Sequence, residues 1–256
     1  MRETVGIFRY EYLMQIRRPG LWASMIVLVG LFLLFGVLDG TRLAGEALND
    51  PWKLGAALMS DMNLLAPVAA GILVADRFPR DRQTGMRELI GSSLPSSRAL
   101  LFGKYFGSLL AVLTVPLLIL LVAMIAIAFE IHQTSFLLTT PAALLVCMVP
   151  AWMFAVVWSL AFPLVMRLRL YQVLFAGFWM WSVAVPRSRL PTINQTILSV
   201  NGEYARMAFF YHDAGALYLL PPATTGWAIF NVCLILALTI GGLLAMEIVL
   251  RKQERA

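Results

Sequence analysis

The sequence predicts an all-α integral membrane protein: six transmembrane helices preceded by an N-terminal in-plane amphipathic helix, with both termini cytoplasmic. Three observations carry this expectation. The 256 residues are 60% hydrophobic and 13% charged, with a mean hydropathy of +0.80, whereas soluble domains are about 45–50% apolar and about 25% charged. The apolar residues come in long runs, and a helical span needs roughly 20 of them, because each residue rises about 1.5 Å through a hydrocarbon layer of about 30 Å. The charges are sorted between those runs, with none of the strand-like alternation of a membrane barrel.

Residues 3–18, ETVGIFRYEYLMQIRR, are too polar to span. On a helix, Val5, Phe8, Tyr12 and Ile16 fall on one side and Thr4, Glu11, Gln15 and Arg18 gather on another, the pattern of a helix lying in the membrane plane. Pro19 and Gly20 break it and let the chain dive. The first span is 21–38, closed by Asp39, and the loop 39–53 is nearly balanced in sign. The second span, 54–75, holds Ser60, Asp61 and Asn63. Ionisable groups at membrane depth are costly and mark function by default, so Asp61 and Asn63 are candidate substrate-pathway residues. The plainer reading of Asp61 is that it reaches water near the outer end, roughly 10 Å away at helical rise.

A charged island follows at 76–107, of which 76–100 is the inner loop. It carries Arg77, Arg80, Arg82, Arg87, Arg98 and Lys104 against Asp76, Asp81 and Glu88. Such a segment prefers water and the anionic cytoplasmic face of the membrane, and it has room for a short helix that a partner can grip. The third span, 101–129, is expected to kink at Pro116, and opens with Gly103-Lys104-Tyr105-Phe106-Gly107, a small-xxx-small spacing that lets another helix approach closely. Loop 130–140 has no Lys or Arg. The fourth span, 141–166, holds Pro150 and Pro163 and ends at Arg167 and Arg169; the fifth, 170–185, is short and rich in Phe and Trp. Residues 186–222 form the longest segment between spans, with 201–210 suited to a short helix and 214–220 apolar enough to dip back into the membrane. The sixth span, 224–250, precedes a basic tail.

With six spans both ends share a side, and basic residues favour the cytoplasm. Fifteen of the 20 Lys and Arg fall on the side of the island and the termini; Arg42, Lys53, Arg187, Arg189 and Arg206 fall on the other. The basic balance therefore reflects topology rather than nucleic-acid binding. No small-residue cleavage site follows the first apolar run, so no removable signal peptide is expected.

The sequence offers no catalytic constellation and no metal site. Cys147 and Cys233 both lie in apolar runs, without disulfide or zinc spacing. His132 and His212 fall in outer loops, with no His-Glu-x-x-His or Gly-x-Ser-x-Gly pattern. The 13 methionines are spread through the spans, where filling gaps is their ordinary role. Asn194-Gln195-Thr196 matches a glycosylation acceptor and reads as chance.

The order of elements, an in-plane helix ending Arg17-Arg18-Pro19, two spans, then Asp81-Arg82-Gln83-Thr84-Gly85, Leu94-Pro95-Ser96-Ser97-Arg98 and Gly103-Lys104, resembles the permeases of type-2 ABC exporters. The likeness covers nearly the full length in topology and is concentrated in sequence at 8–20 and 76–107. It implies a half-size permease of the bacterial cytoplasmic membrane, working as a dimer with a second permease copy, identical or related, and with two ATP-binding subunits that carry ATP and Mg. It also implies a coupling helix in the loop after the second span and an extracytoplasmic feature at 186–222.

The residues support the same division of labour independently. The chain has no Walker A sequence and is not expected to hydrolyse ATP: after Gly103-Lys104 comes Tyr105, and the expected earlier glycine position is Arg98. Energy for uphill transport must then enter from a separate chain. Arg82, Thr84, Gly85, Arg87 and Glu88 are the expected contact with that chain, and Arg98, Gly103 and Lys104 the span-entrance and coupling residues. Plain topogenic charge explains the arginines but neither the Gly85 break nor the Pro95 helix start. The expected cargo is amphipathic or hydrophobic, since no paired intramembrane charges of the ion-relay kind are evident. A secondary, ion-coupled transporter is the alternative, although no matched half-repeats are found; an intramembrane enzyme or a membrane scaffold is the third reading.

Overall fold

A computed structural model of the chain describes residues 2–38, 50–83, 96–130, 132, 134–185, 189–211 and 219–255. Apart from one isolated bridge between Thr196 and Leu220, the regular structure among the described residues is helical. The first helix, α1, is Arg2–Ile16. Arg17 and Arg18 make the turn and Pro19 opens α2, Pro19–Leu38, a position where the missing N–H costs nothing.

Helix α3, Pro51–Val74, begins earlier than the apolar run suggests. The Asp50 carboxylate accepts from the Trp52 N–H at 3.0 Å and Pro51 takes the first turn, so Trp52 and Lys53 are helical rather than loop. A turn at Ala75 and Asp76 leads into α4, Arg77–Gln83. Helix α5, Ser97–Glu130, is one continuous helix with Pro116 inside it.

The next span also starts early. It comprises α6, Phe136–Ala143, a wide π turn at Leu144–Met148, α7, Val149–Ala161, and a tight 3-10 turn at Phe162–Leu164. The π turn has a cause in the sequence. Pro150 has no N–H to offer the Val146 carbonyl and its ring crowds that oxygen, and the wider turn, with the Val149 N–H bonded to the Leu144 carbonyl, absorbs the conflict. Arg167, in extended backbone, precedes α8, Leu168–Val183. A short helix α9, Glu203–Arg206, continues into a second π turn at Met207–Tyr211, and α10 is Thr225–Arg255.

Against the six spans expected, four helices are long and apolar enough to cross a membrane among the described residues: Pro51–Asp81, Arg98–Phe129, Phe136–Leu164 and Thr225–Gln253. Pro19–Leu31 is a shorter apolar helix. Helix α8 has 16 residues, about 24 Å at helical rise, less than the hydrocarbon thickness. The bundle exposes large apolar side chains: Leu138 is 80% exposed, Phe129 75% and Val173 72%. Water penalises such a surface and lipid does not.

The packing between helices is closed by asparagine side chains. Asn63, on α3, donates both amide hydrogens, to the Cys147 carbonyl at 2.7 Å and the Asn201 carbonyl at 2.9 Å, and its oxygen accepts from the Trp152 indole at 3.0 Å. Asn194 donates to the carbonyls of Val183 (2.8 Å) and Val185 (3.2 Å). Asn231, on α10, donates to those of Ile197 (2.6 Å) and Ser199 (3.0 Å). The segment around 192–211 is thereby seated on α3, α8 and α10. Gly202 completes the contact: with φ at +77° and space for a Cβ only 2.2 Å from the Cys147 carbonyl oxygen, no side chain fits. Tyr204, fully buried, donates to the Pro221 carbonyl at 2.6 Å, and burial pushes its phenol up.

Candidate functional site: a buried ion cluster

Helix α1 lies along α5, and the glycines of α5 decide how close it comes. A Cβ at Gly103 would stand 2.6 Å from Ile7 Cγ2, and one at Gly107 would stand 2.8 Å from the Phe8 carbonyl oxygen. Only hydrogens fit between the helices there. The small-xxx-small spacing of 103–107 therefore receives the protein's own N-terminal helix.

That crossing sets two polar pairs against each other, Glu11 and Gln15 on α1 and Lys104 and Ser108 on α5, each spaced to share one helix face. The Gln15 amide donates to Glu11 Oε1 at 3.0 Å and to Ser108 Oγ at 2.5 Å. Lys104 Nζ donates to Glu11 Oε2 at 3.3 Å and also pairs with Asp81 of α4. Arg77, the first residue of α4, brings Nη1 within 3.3 Å of Glu11 Oε1 and Nε within 3.4 Å of Asp76 Oδ1. None of its nitrogens makes a directed hydrogen bond, so Coulomb attraction holds it. Arg18 reaches Asp76 Oδ2 at 3.2 Å. The Lys104 ammonium also stands 5.4 Å from the centre of the Phe78 ring, a favourable cation–ring contact.

Glu11, Asp76 and Asp81 are thus matched by Arg18, Arg77 and Lys104. The cluster grades from dry to wet: the side chains of Arg77 and Glu11 are 1% exposed and Lys104 5%, while Asp81, Arg18 and Asp76 are 20%, 26% and 31% exposed. Removing a charge from water costs several kcal/mol even after relaxation, so the dry centre is stable only with its partners in place. The cluster joins the N-terminal helix, the start of the charged island and the entrance of the next span into one unit.

This geometry revises the sequence expectation for α1 and for the island. The polar stripe of α1 does not meet water. Glu11 and Gln15 are 1% exposed, whereas Val5 is 61% exposed and Tyr10 52%. The helix has turned Glu11 and Gln15 inward, where their partners stand, while Glu3 and Arg9 stay exposed. Likewise Arg77 and Lys104 belong to the interior, not to a solvated loop. Arg98 goes elsewhere: it is exposed and donates to Glu247 of α10 at 2.7 Å, and Glu247 also pairs with Arg251. Lys104 and Arg98, grouped together by sequence, thus hold different partners.

Arg82 lies on α4 with its side chain outside the described residues, and Thr84, Gly85, Arg87 and Glu88 lie outside them altogether. Asp61 is on α3, its side chain likewise outside them. Asn63 is fully buried with its amide engaged on both sides. His132 is exposed at a left-handed position, φ 53°, and His212 falls outside the described residues. Among the described residues no group of His, Cys, Asp and Glu is arranged to hold a metal ion. The residues that sequence reasoning left unassigned are Glu11, Gln15, Asp76, Arg77, Asp81 and Ser108. A signal for them existed: a lysine and a serine four residues apart inside an apolar run, and a carboxylate and an amide at the same spacing on the preceding helix.

The class these observations define is an all-helical protein of membrane character with a charge-matched cluster where its N-terminal helix crosses the bundle. No family model matches the chain, and neither a curated protein nor a solved structure matches it.

Proposed function

We propose that the chain is the permease subunit of an ATP-binding-cassette exporter of the bacterial cytoplasmic membrane, working with a second permease copy and with ATP-binding subunits that carry ATP and Mg. One observation supports this reading above the others. The ion cluster ties α1, α4 and the entrance of α5 together, so a push delivered to α4 reaches a membrane helix through paired side chains. A conduit driven from outside its own chain needs such a joint. Its cargo is amphipathic or hydrophobic, and Arg82, Thr84, Gly85, Arg87 and Glu88 form the contact with the ATPase, while Lys104 passes the motion on.

The test uses the full chain, tagged and purified from its own membranes, with ATP hydrolysis measured in the eluate. Vanadate-sensitive hydrolysis that co-purifies with the wild type, and is lost in Gly85→Pro or Glu88→Arg at unchanged membrane yield, supports the proposal. A chain that transports cargo in vesicles without a nucleotide, or that keeps its ATPase in both variants, refutes it.

A further inference from the structure

Apart from the ion cluster, the described residues build an aromatic groove between α7, α8 and α10. It encloses about 390 Å³, within the range of about 300–1,000 Å³ typical of small-molecule sites. Its walls are built by helical spacing. Phe154, Trp158 and Phe162 recur every four residues along α7 and the 3-10 turn, and Tyr171 and Phe175 do so on α8. The rings run as a chain, Phe154 to Trp158 at 6.2 Å, Trp158 to Phe162 at 5.2 Å, Phe162 to Tyr171 at 5.9 Å and Tyr171 to Phe175 at 5.4 Å. Leu238 closes the side toward α10. The tyrosine hydroxyl is engaged with Ser159 Oγ at 2.6 Å. The Trp158 indole N–H is buried without a hydrogen-bond partner, and the surface of the groove is wholly apolar.

One end of this groove is positively charged. Met166 lines it and Arg167 follows directly; Arg167, Tyr171, Leu174 and Phe178 fall at the spacing of one helix stripe, the last three lining the groove. Arg169 stands a half-turn away. The Gln253 amide donates to the Leu164 carbonyl at 3.4 Å, which brings the end of α10, with exposed Lys252, beside the same turn. Arg167, Arg169 and Lys252 are exposed, and no acidic partner for them occurs among the described residues. By contrast Arg98 and Arg251, also at the ends of long helices, are paired with Glu247.

We infer that the groove seats an acyl chain of an anionic phospholipid, whose phosphate is held by Arg167, with the exposed Arg169 and Lys252 adding to the positive field at that end. An apolar channel on a lipid-facing surface takes hydrocarbon; unpaired cations at its mouth select the charge of the headgroup. A zwitterionic lipid fills the same channel but brings its own cation to the arginines. This inference does not depend on the ATP-driven reading, because it concerns binding to the chain alone.

The test is fluorescence quenching in phosphatidylcholine vesicles that contain a minor fraction of either phosphatidylglycerol or phosphatidylcholine with brominated chains. The difference between wild type and Trp158→Phe isolates the indole in the groove. Its quenching should show a preference for brominated phosphatidylglycerol of about fivefold in apparent affinity for each arginine engaged. Arg167→Gln combined with Arg169→Gln and Lys252→Gln, all at exposed positions, should remove the preference while chain quenching persists. Equal quenching by the two lipids in the wild type, or a preference that survives the triple variant, overturns the inference. So does a disulfide between two copies of Leu174→Cys in a Cys233→Ser background, since the groove would then face a second chain instead of lipid.

Discussion

Lys104 and Glu11 are 93 residues apart in the chain and meet at 3.3 Å in a site from which water is nearly excluded. The contact exists because Gly103 and Gly107 let α1 approach α5 closely enough for a lysine beside one glycine to meet a carboxylate on the opposite helix.

Breaking this pair from one side should be costly. Lys104→Met leaves Glu11 buried with only Arg77 and Gln15 to answer it, and Glu11→Leu leaves Lys104 with only Asp81 and Arg77 with only Asp76. Each is expected to lose about 3–5 kcal/mol. The double variant should lose less than the sum of the two, read as a thermal-unfolding cycle of the detergent-solubilised protein. Strict additivity would mean that the two side chains do not interact.

The exposed pair at the start of the same helix should behave differently. The Arg98 side chain is 66% exposed, so Arg98→Ala is expected to change stability by no more than about 1 kcal/mol. A melting-temperature loss equal to that of Lys104→Met would contradict the placement of Arg98 at the rim.

Close approach makes its own prediction. Gly107→Ala drives a methyl toward the Phe8 carbonyl, which has no side-chain freedom to yield, and should cost about 1–3 kcal/mol. Gly30→Ala meets no heavy atom within 4 Å and sits within a helix, where alanine is favoured by about 1 kcal/mol. The two variants should shift the melting temperature in opposite directions.

At Asn63 an isosteric change should be no milder than a truncation. Asn63→Asp removes the two amide donors and sets a carboxyl oxygen against the carbonyls of Cys147 and Asn201, whereas Asn63→Ala leaves those carbonyls and the Trp152 indole N–H unpaired, at about 1–3 kcal/mol for each buried group. Limited proteolysis between 192 and 211 reports the loosening. Cleavage as slow in both variants as in the wild type would remove Asn63 from its role as the tie.

The same segment supplies a test of sidedness. Ser199 is fully buried and its hydroxyl is bonded to Asn201 Oδ1, but Leu198 is 51% exposed. If the segment is extracytoplasmic, Leu198→Cys in a Cys233→Ser background should react with a membrane-impermeant maleimide on intact cells. Labelling only after lysis would invert the expected topology.

The helices were legible in the sequence because their signal, a long apolar run, is local. The prolines were less so, since Pro19, read as a break, is the first residue of α2, Pro116, read as a kink, lies within one continuous helix, and the π turn before Pro150 was not foreseen. Their ends were less so. Asp50 and Pro51 together start α3 before its apolar run begins, and α6 absorbs residues read as loop. The ion cluster was half visible. Glu11 and Gln15 were placed on one polar stripe, but a stripe does not say whether water or a lysine faces it. That depends on the crossing of α1 with α5, and hence on glycines whose spacing names no partner. The aromatic groove was less visible still, because Phe and Trp at helical intervals in a membrane segment are ordinary until Arg167 and Lys252 are found at one end of it.

Asn63, Asn194 and Asn231 each grip two main-chain oxygens and read no side chain in doing so. At an exposed position of the strip such as Leu198 the amino acid can therefore drift over evolutionary time while the backbone keeps its seat, provided the amides endure; Ser199 and Asn201, buried and bonded to each other, and Gly202, which has no room for a side chain, cannot. Homologues should vary at the outward positions and be frozen at the clasps, so that the segment does not wander as a whole.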